Sequence, residues 1–296
     1  MFSNCKSTGT GVYGVYNFTV MCENIPVAKV FVSDDRKEVK IEKETKDCKL
    51  SPDALVMVAG SSIGTQKKYY EKGYWYKQNH VGFEGVSEYL ASKVLSCSNI
   101  QEYVEYEQCK VNGIDGCRSA NFLLEGESFI SLQRLYDIYH GGQLSERIRL
   151  LDSIGDRIQF VVDFVYDTIG LHIKEYLGKM ATFDMLILNT DRHFNNLGIV
   201  ADLSKGQYRA APAFDHGNAL LSDLSEFPLE EPIETNINRV VGQPFSVSLE
   251  RQAKELGFGL KVDYDAIDAL LQKEPDSRAL KALRIQLEKY RAIIKR

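Results

Sequence analysis

Two short segments of the sequence decide the fold: Asn189-Thr-Asp-Arg-His-Phe-Asn-Asn196 and Ala213-Phe-Asp-His-Gly217. The first follows a helical pattern and precedes a strand, and a short predicted hairpin lies between the two. Each segment carries one aspartate, Asp191 or Asp215. Either carboxylate alone would be interpreted as structural, because Asp and Asn are common where a helix ends in a turn. Together with Asn196, five residues after Asp191, they predict a catalytic centre.

The chemistry that suits these side chains is phosphoryl transfer. The interval from Asp191 to Asn196 equals that between Asp and Asn in the kinase catalytic loop HRDxxxxN. Phosphoryl transfer depends on positioning and on neutralising charge, and Mg²⁺ prefers oxygen ligands. We therefore expect Asp191 to accept the proton of the attacking hydroxyl or to orient that hydroxyl. Asn196 and Asp215 are expected to bind Mg²⁺.

A nucleotide-binding loop is predicted after an apolar strand, in Gly60-Ser-Ser-Ile-Gly-Thr-Gln-Lys-Lys68. Its glycines would let the backbone approach phosphates closely, and its hydroxyl groups could donate hydrogen bonds to them. The segment matches neither GxGxxG nor a Walker A sequence, so a plain glycine loop is an equally good interpretation. The residues with these expected roles are Gly60, Ser61, Ser62, Gly64 and Thr65.

Lys77, on the strand after this loop, is predicted to contact the α and β phosphates of ATP; the alternative is an ordinary solvated lysine. Such a lysine needs a carboxylate from the following helix to orient it. Glu84 and Glu88 stand four residues apart and therefore share one face of that helix. We favour Glu84, near the helix start, with Glu88 as second choice and ordinary surface charge as the alternative for both.

The order of elements indicates an α+β fold with two lobes. Strand-like segments dominate the first half, with one helix predicted over residues 83–95. Helical periodicity dominates the second half, over residues 153–177 and 179–188 and from about residue 264 onward. We expect a small antiparallel, β-rich N-lobe over residues 1–124 and a larger helical C-lobe over residues 125–296. A hairpin turn is expected at Glu71-Lys72-Gly73. The predicted strands are Tyr16–Met21, Val27–Val32, Val39–Glu42, Ala54–Ala59, Tyr69–Tyr70, Tyr74–Lys77, Tyr103–Tyr106, Ser119–Leu124, Asn196–Val200 and Gln207–Ala211.

Composition limits the class of protein. The 296 residues hold 44% hydrophobic and 26% charged side chains, which is typical of a soluble globular protein. No apolar run is long enough for a membrane span, and the N terminus lacks the pattern of a secretory signal. The net charge of -5 disfavours general binding to nucleic acid. The six cysteines form no CxxC pair, so free thiols in a cytoplasmic protein are expected.

With these residues in view, the chain resembles the HipA-like kinases, the bacterial Ser/Thr kinase family of toxin–antitoxin systems. In length it is closest to a shorter relative, cell-translocating kinase A. The resemblance runs from about Tyr16 to Gly217 and is strongest in the pattern Asn-Thr-Asp-x-His-x-x-Asn followed by a hairpin and Phe-Asp. It implies a bilobal protein-kinase-like fold and a Ser/Thr kinase that uses ATP and Mg²⁺.

By position, the resemblance implies Asp191 as the catalytic residue, Asn196 and Asp215 as Mg²⁺ ligands, and Lys77 as the nucleotide anchor. Lys68 would be a second phosphate contact. His193 matches a family position too, although a neutral, hydrogen-bonded structural histidine explains it equally well. The hinge that contacts adenine would include Phe122, Leu123 and Leu124. The metal segment reads Asp-His-Gly where eukaryotic kinases have Asp-Phe-Gly, so regulation through that Phe is not implied.

Several alternatives stay open at this point. The same fold could serve a lipid kinase of the phosphatidylinositol type, a nucleotidyl transferase or a catalytically silent pseudokinase, and a metal-dependent hydrolase ranks below these. Family members autophosphorylate in the glycine loop, so Ser61 and Ser62 are candidate phosphosites whose added charge would repel nucleotide. An antitoxin is a candidate partner, the protein substrate is unknown, and export or translocation into a host cell is left open. The basic C-terminal helix is expected to pack its leucine stripe on the large lobe.

Overall fold

The computed structural model describes residues 5–10, 15–22, 25–33, 39–43, 46–57 and 66–296. The chain divides into two compact units, Met1–Cys48 and Lys49–Arg296.

The first unit contains a four-stranded antiparallel sheet in the order β1-β2-β3-β4. Alternating β-branched and aromatic residues such as those of Val15-Tyr-Asn-Phe-Thr-Val20 favour this pleated arrangement. The three strands predicted in this part are confirmed as β2 to β4, whereas β1 was not predicted. The strands are β1 (Cys5–Thr10), β2 (Val15–Cys22), β3 (Ile25–Ser33) and β4 (Val39–Lys43), and the two-residue strand β5 (Asp47–Cys48) ends the unit.

The second unit begins with five antiparallel strands in the order β9-β10-β8-β7-β6. Lys72 and Gly73, both with positive φ, connect β7 to β8 in the tight turn predicted there. The hairpin at this turn is therefore confirmed. The strands are β6 (Leu55–Met57), β7 (Lys68–Glu71), β8 (Tyr74–Gln78), β9 (Glu107–Val111) and β10 (Ile114–Ala120).

The sequence prediction misplaced the last two strands of this sheet. Strands were expected around Tyr103–Tyr106 and over Ser119–Leu124, but β9 and β10 meet instead at Asn112-Gly113, where both residues have positive φ. Asn-Gly is the strongest short hairpin signal, because both residues tolerate the left-handed conformation. That signal was present in the sequence and marks the true turn.

The helix α1 (Glu84–Ser96) lies against β10 through two glycines. A Cβ atom on Gly85 would come within 2.5 Å of the carbonyl carbon of Gly116. One on Gly116 would come within 2.0 Å of the Lys77 carbonyl oxygen. The helix can lie this close to β10 because Gly85 lacks a side chain, and β10 can lie this close to the Lys77 carbonyl of β8 because Gly116 lacks one. The predicted helix over residues 83–95 is confirmed.

The remainder of the second unit is mainly helical and includes a three-stranded sheet in the order β11-β12-β13. Its strands are β11 (Glu127–Ser131), β12 (Gly198–Asp202) and β13 (Gln207–Ala210). Its helices are α2 (Leu132–His140), α3 (Leu144–Arg149), α4 (Ile154–Ile169), α5 (Lys174–Ile187), α6 (Ile233–Arg239), α7 (Leu249–Glu255), α8 (Tyr264–Leu271) and α9 (Arg278–Ile294). The hairpin of β12 and β13 is confirmed, but β11, α2, α3, α6 and α7 were not predicted.

The expected helix over residues 153–177 is wrong in one respect. It ends at Ile169, because Gly170 adopts the left-handed conformation that terminates a helix. A second helix, α5, then begins at Lys174. The two helices, with α1 and α9, enclose one continuous apolar core that includes Val94, Val165 and Phe183.

The C-terminal helix α9 packs its apolar stripe inward, as expected, with Leu283 and Leu287 among its buried residues. Among the residues that the structure describes, no helix has the length and apolar character needed to cross a membrane.

Candidate functional site

The centre of the site is a buried ammonium group between two carboxylates. Lys77, on the middle strand β8, places Nζ against Glu88 Oε1 and 2.6 Å from Asp215 Oδ1. The Nζ atom also lies 5.2 Å from the centre of the Tyr106 ring. Lys77 is 7% exposed and Glu88 is fully buried, so these charges depend on one another for stabilisation.

The partner of Lys77 in α1 is Glu88, and the sequence preference for Glu84 is corrected. Glu84 is the first residue of the helix, and its Oε1 atom turns back to accept the backbone N–H groups of His80 and Val81 at 3.2 and 2.8 Å. One turn further along the helix, Glu88 lies opposite Lys77, and its Oε2 accepts the backbone N–H of His216 at 2.8 Å. Glu88 therefore joins α1, β8 and the segment after β13.

A second lysine reaches the same aspartate. Lys68 on β7 lies directly opposite Lys77 on β8, with Nζ 3.3 Å from Asp215 Oδ2. Like charges at directly opposite strand positions repel one another unless an anion lies between them. Asp215 supplies that anion, and this pair of cations is suited to receive phosphate groups.

The pKa directions of Lys77 and Asp215 agree with an ionised pair. Burial alone would lower the pKa of Lys77, but Asp215 and then Glu88 hold it well above its ordinary value. Burial alone would raise the pKa of Asp215, but Lys77 and then Lys68 hold it well below its ordinary value. Burial raises the pKa of Glu88, and the ammonium of Lys77 opposes that rise.

Asp191 lies on the loop after α5, where backbone and side-chain contacts fix its position. Its N–H donates to Asn189 Oδ1 at 3.1 Å, in the local turn that Asn favours. Its carboxylate accepts hydrogen bonds from Asn218 Nδ2 at 3.3 Å and Gln243 Nε2 at 3.4 Å. Burial raises the pKa of Asp191, and the charge of Asp215 raises it further. Asp191 and Asp215 line the same cavity, of about 550 Å³.

Asn196 adjoins Asp191, and its chemistry fits the predicted metal site. Its Nδ2 donates to the Asp191 backbone oxygen at 3.0 Å, so the donor end of the amide is engaged and Oδ1 is the end that can act as a ligand. The carboxylate of Asp215 and this amide oxygen are hard donors of the kind that Mg²⁺ prefers. The donor types of these two residues therefore suit Mg²⁺, and metal binding by them stays a prediction.

Arg192, a residue not predicted from the sequence, holds the two site segments together. Its side chain is 1% exposed and forms a two-pronged ion pair with Asp184 of α5, with Nε 3.0 Å from Oδ2. Nη1 donates to the Phe214 backbone oxygen at 2.9 Å, and Nη2 donates to Nδ1 of His216 at 2.8 Å. Burial and Arg192 hold the pKa of His216 well below its ordinary value, so that ring is neutral. Arg192 therefore fixes Asp215 relative to Asp191.

His193 has no hydrogen-bond partner for either ring nitrogen among the described residues. Its Nε2 lies 3.9 Å from Asp191 Oδ1. The alternative of a hydrogen-bonded structural histidine therefore has no support in the geometry. A catalytic role for His193 stays a prediction.

The predicted adenine hinge is partly aromatic and partly exposed. Phe122 packs against Phe129 and Phe214, with ring centres 6.1 and 5.5 Å apart. The Leu124 side chain is 71% exposed, and its backbone N–H donates to Glu127 Oε2 at 2.9 Å. Leu123 lies between them and is half-buried. Adenine contacts by these residues stay a prediction.

The predicted phosphate loop directly precedes Gln66 in the sequence. Gly60, Ser61, Ser62, Gly64 and Thr65 lie outside the described residues. Gln66 and Lys68, which follow the loop, both line the cavity that contains Asp191 and Asp215.

Comparison with known proteins supports the fold. No family model matches the sequence, and no curated protein matches it significantly. Among solved structures, the chain is similar to the proinflammatory kinase CtkA of Helicobacter pylori, with a TM-score of 0.57 and 16% identity, covering 85% of this chain and 95% of that chain. It is also similar to HipA of Shewanella oneidensis MR-1, solved with HipB and operator DNA, with a TM-score of 0.45 and 12% identity, covering 86% of this chain and 67% of that chain.

The likeness to CtkA shows the fold of this chain to be the α+β, protein-kinase-like fold that the sequence predicted. The expected resemblance to HipA-like kinases is therefore confirmed at the level of the fold.

Proposed function

We propose that the chain is an ATP- and Mg²⁺-dependent protein serine/threonine kinase. The observation that carries this proposal is the contact of Lys77 with both Glu88 and Asp215, beside a cavity that Asp191 also lines. A buried lysine oriented by a helix carboxylate, next to a metal-binding aspartate, is the arrangement that positions a nucleoside triphosphate in protein kinases. The two-lobed fold, with an N-lobe over residues 1–124 and a C-lobe over residues 125–296, belongs to the same proposal.

Each residue has a role that follows from its surroundings. Lys77 and Lys68 would bind the phosphate oxygens, because both already converge on one anion. Glu88 would keep Lys77 in place when the lysine binds phosphate oxygens in addition to, or instead of, Asp215. Asp215 and Asn196 would hold Mg²⁺, which supplies charge neutralisation at the transferring phosphate. Asp191 would orient the acceptor hydroxyl and accept its proton, for which a raised pKa is an advantage.

The hydroxyl acceptor distinguishes this proposal from its rivals. A lipid kinase or a nucleotidyl transferase would use the same nucleotide centre, whereas a pseudokinase would bind nucleotide without turnover. The alternatives predict phosphate on a lipid, AMP on a protein, or no transfer. A HipA-like role would add an antitoxin partner. The same sequence-based hypothesis includes a cytoplasmic location and leaves translocation into a host cell open.

The proposal is tested by intact-mass measurement after incubation with Mg²⁺ and ATP, with a generic protein substrate present. We expect the wild-type chain to gain phosphate or transfer it, and Asp191→Asn to lower the rate by about 10²-fold or more. Asp167→Asn, an exposed aspartate on α4, is the matched control and should retain full activity. Addition of AMP, or no transfer by the wild type to itself or the substrate, would contradict the kinase assignment.

The same measurement tests regulation of the glycine loop. Phosphate on Ser61 or Ser62 would place about 1.5 to 2 negative charges where ATP phosphates are expected. We propose that autophosphorylation there inhibits nucleotide binding. A double variant with Ser61→Ala and Ser62→Ala should gain less phosphate than the wild type; an equal gain removes this part of the proposal.

A further inference from the structure

The cavity beside Asp191 is lined by more carboxylates than nucleotide binding requires. Besides Asp191 and Asp215, its walls include Glu84, Asp223 and Glu226. Among the described residues that line it, the basic ones are Lys68, which pairs with Asp215, and His80. With Lys68 paired to Asp215, the described lining of the cavity carries an excess of acidic side chains.

Glu84 carries an unsatisfied acceptor at this wall. Its side chain is 3% exposed, and Oε1 is occupied by the N–H groups of His80 and Val81. Its other oxygen, Oε2, is buried and has no hydrogen-bond partner within the part of the chain that the structure describes. Leaving a buried carboxylate oxygen unpaired is costly, so such an atom at a cavity wall indicates a missing donor. Gln66, also at the wall, has an Nε2 with no hydrogen-bond partner among the described residues 46–57 and 66–296.

The other two carboxylates are fixed near Glu84 by the backbone. The segment before α1 pairs with the segment that carries them: Leu224 N–H donates to the Val81 oxygen at 3.2 Å, and Gly82 forms a bridge with Asp223. Partial burial and the charge of Asp223 raise the pKa of Glu226, as expected for neighbouring carboxylates. These acidic groups and Glu84 therefore form one wall.

We propose that this acidic wall is the acceptor site of the kinase and that it selects peptides with a lysine or arginine beside the serine or threonine. The protonated nitrogen of that residue donates a hydrogen bond to Glu84 Oε2, and Asp223 and Glu226 attract it. This inference rests on the proposed function and adds the class of substrate. A charge-assisted hydrogen bond to a desolvated carboxylate is the contact that satisfies this oxygen best.

The test compares two peptides with a single serine, flanked by arginine in one and by alanine in the other. Their affinities are measured by fluorescence anisotropy with ADP and Mg²⁺ present, so that binding is followed without turnover. We expect the wild type to bind the arginine peptide about tenfold more tightly. Glu84→Gln, which retains an acceptor for His80 and Val81, should lose most of this preference. Glu226→Gln should lose part of it, and Glu146→Gln on α3 is the exposed control that should keep it.

Equal affinity of the wild type for both peptides would overturn the inference, as would full preference in Glu84→Gln. If Glu84→Gln does not fold, Glu226→Gln decides: an unchanged preference overturns the inference. If high Mg²⁺ abolishes the preference of the wild type for the arginine peptide, the acidic wall is a divalent-cation site, and the inference is overturned. Parallel assays of phosphate transfer from ATP separate failure of the acceptor-site inference from failure of the proposed kinase function. Equal phosphate transfer to both peptides contradicts only the acceptor site. A binding preference without transfer to either peptide contradicts the kinase function.

Discussion

At the scale of single residues, Lys77 has the largest electrostatic role in the site. It is one buried cation between the buried carboxylate of Glu88 and the partly buried carboxylate of Asp215. Asp215 has Lys68 as a second partner, whereas Glu88 has Lys77 alone as an ionic partner among the described residues. Removing Lys77 would leave Glu88 charged in the interior without compensation. The raised pKa of Lys77 means that its contribution to stability is fully present below the ordinary lysine value and is lost only as the pH rises through the raised value.

Lys77→Met is therefore expected to lower the free energy of unfolding by about 3 to 5 kcal/mol near neutral pH. The loss should shrink from pH about 8 to pH about 5. Without Lys77 the pKa of Glu88 rises further above its unfolded value, so the folded variant binds more protons and gains stability as the pH falls. Urea unfolding at several pH values measures this, with Lys273→Met as an exposed control. A loss that is constant with pH or grows on acidification would show that Glu88 is not the uncompensated charge.

At the scale of elements, the site depends on how closely α1 lies against the sheet. The contact of Gly85 with the Gly116 backbone sets the distance of the helix from β10, and on the adjacent strand β8 Lys77 meets Glu88. At this point α1 packs directly on the backbone of β10, and backbone atoms cannot rotate away as a side chain can. An added side chain at Gly85 would therefore push the helix away from the strand.

Gly85→Ala tests this packing. The added methyl group would meet the Gly116 backbone, so we expect a loss of about 1 to 3 kcal/mol in stability together with weaker nucleotide binding. Gly155→Ala on α4 is the matched control, since the nearest atom there is Glu255 Oε1, at the end of a flexible side chain. Helix propensity should make that variant as stable as the wild type or more stable. Thermal unfolding of the two variants compares them, and equal stability would contradict the proposed close packing.

The elements also show what the sequence could predict. Hairpins with clear turn residues, such as Lys72-Gly73, and the periodic helices α1 and α9 follow from local pattern. The choice between Glu84 and Glu88 does not, because both lie on one helix face and only the packed position of α1 separates them. Arg192 was also missed, since a buried arginine is recognisable only when Asp184 and the segment after β13 surround it.

At the scale of the whole molecule, the candidate centre is assembled by the fold. Lys77 and Asp215 are 138 residues apart in the sequence but within one hydrogen bond in space. All the described residues of the centre belong to the unit Lys49–Arg296. The sequence predicted a phosphate-transfer centre at Asp191, Asn196 and Asp215, with Lys77 and Lys68 as phosphate contacts. In the folded chain both lysines contact Asp215.

The central claim is that this centre binds the triphosphate of ATP through Mg²⁺. Isothermal titration with a non-hydrolysable ATP analogue tests it, using the wild type, Asp215→Asn and the surface control Asp167→Asn, each checked for folding by circular dichroism. We predict that the wild type and the control bind the analogue, and that removing Mg²⁺ or introducing Asp215→Asn weakens binding by about tenfold or more. Absence of binding by the folded wild-type chain, or equal affinity with and without Mg²⁺ and Asp215, would contradict the account.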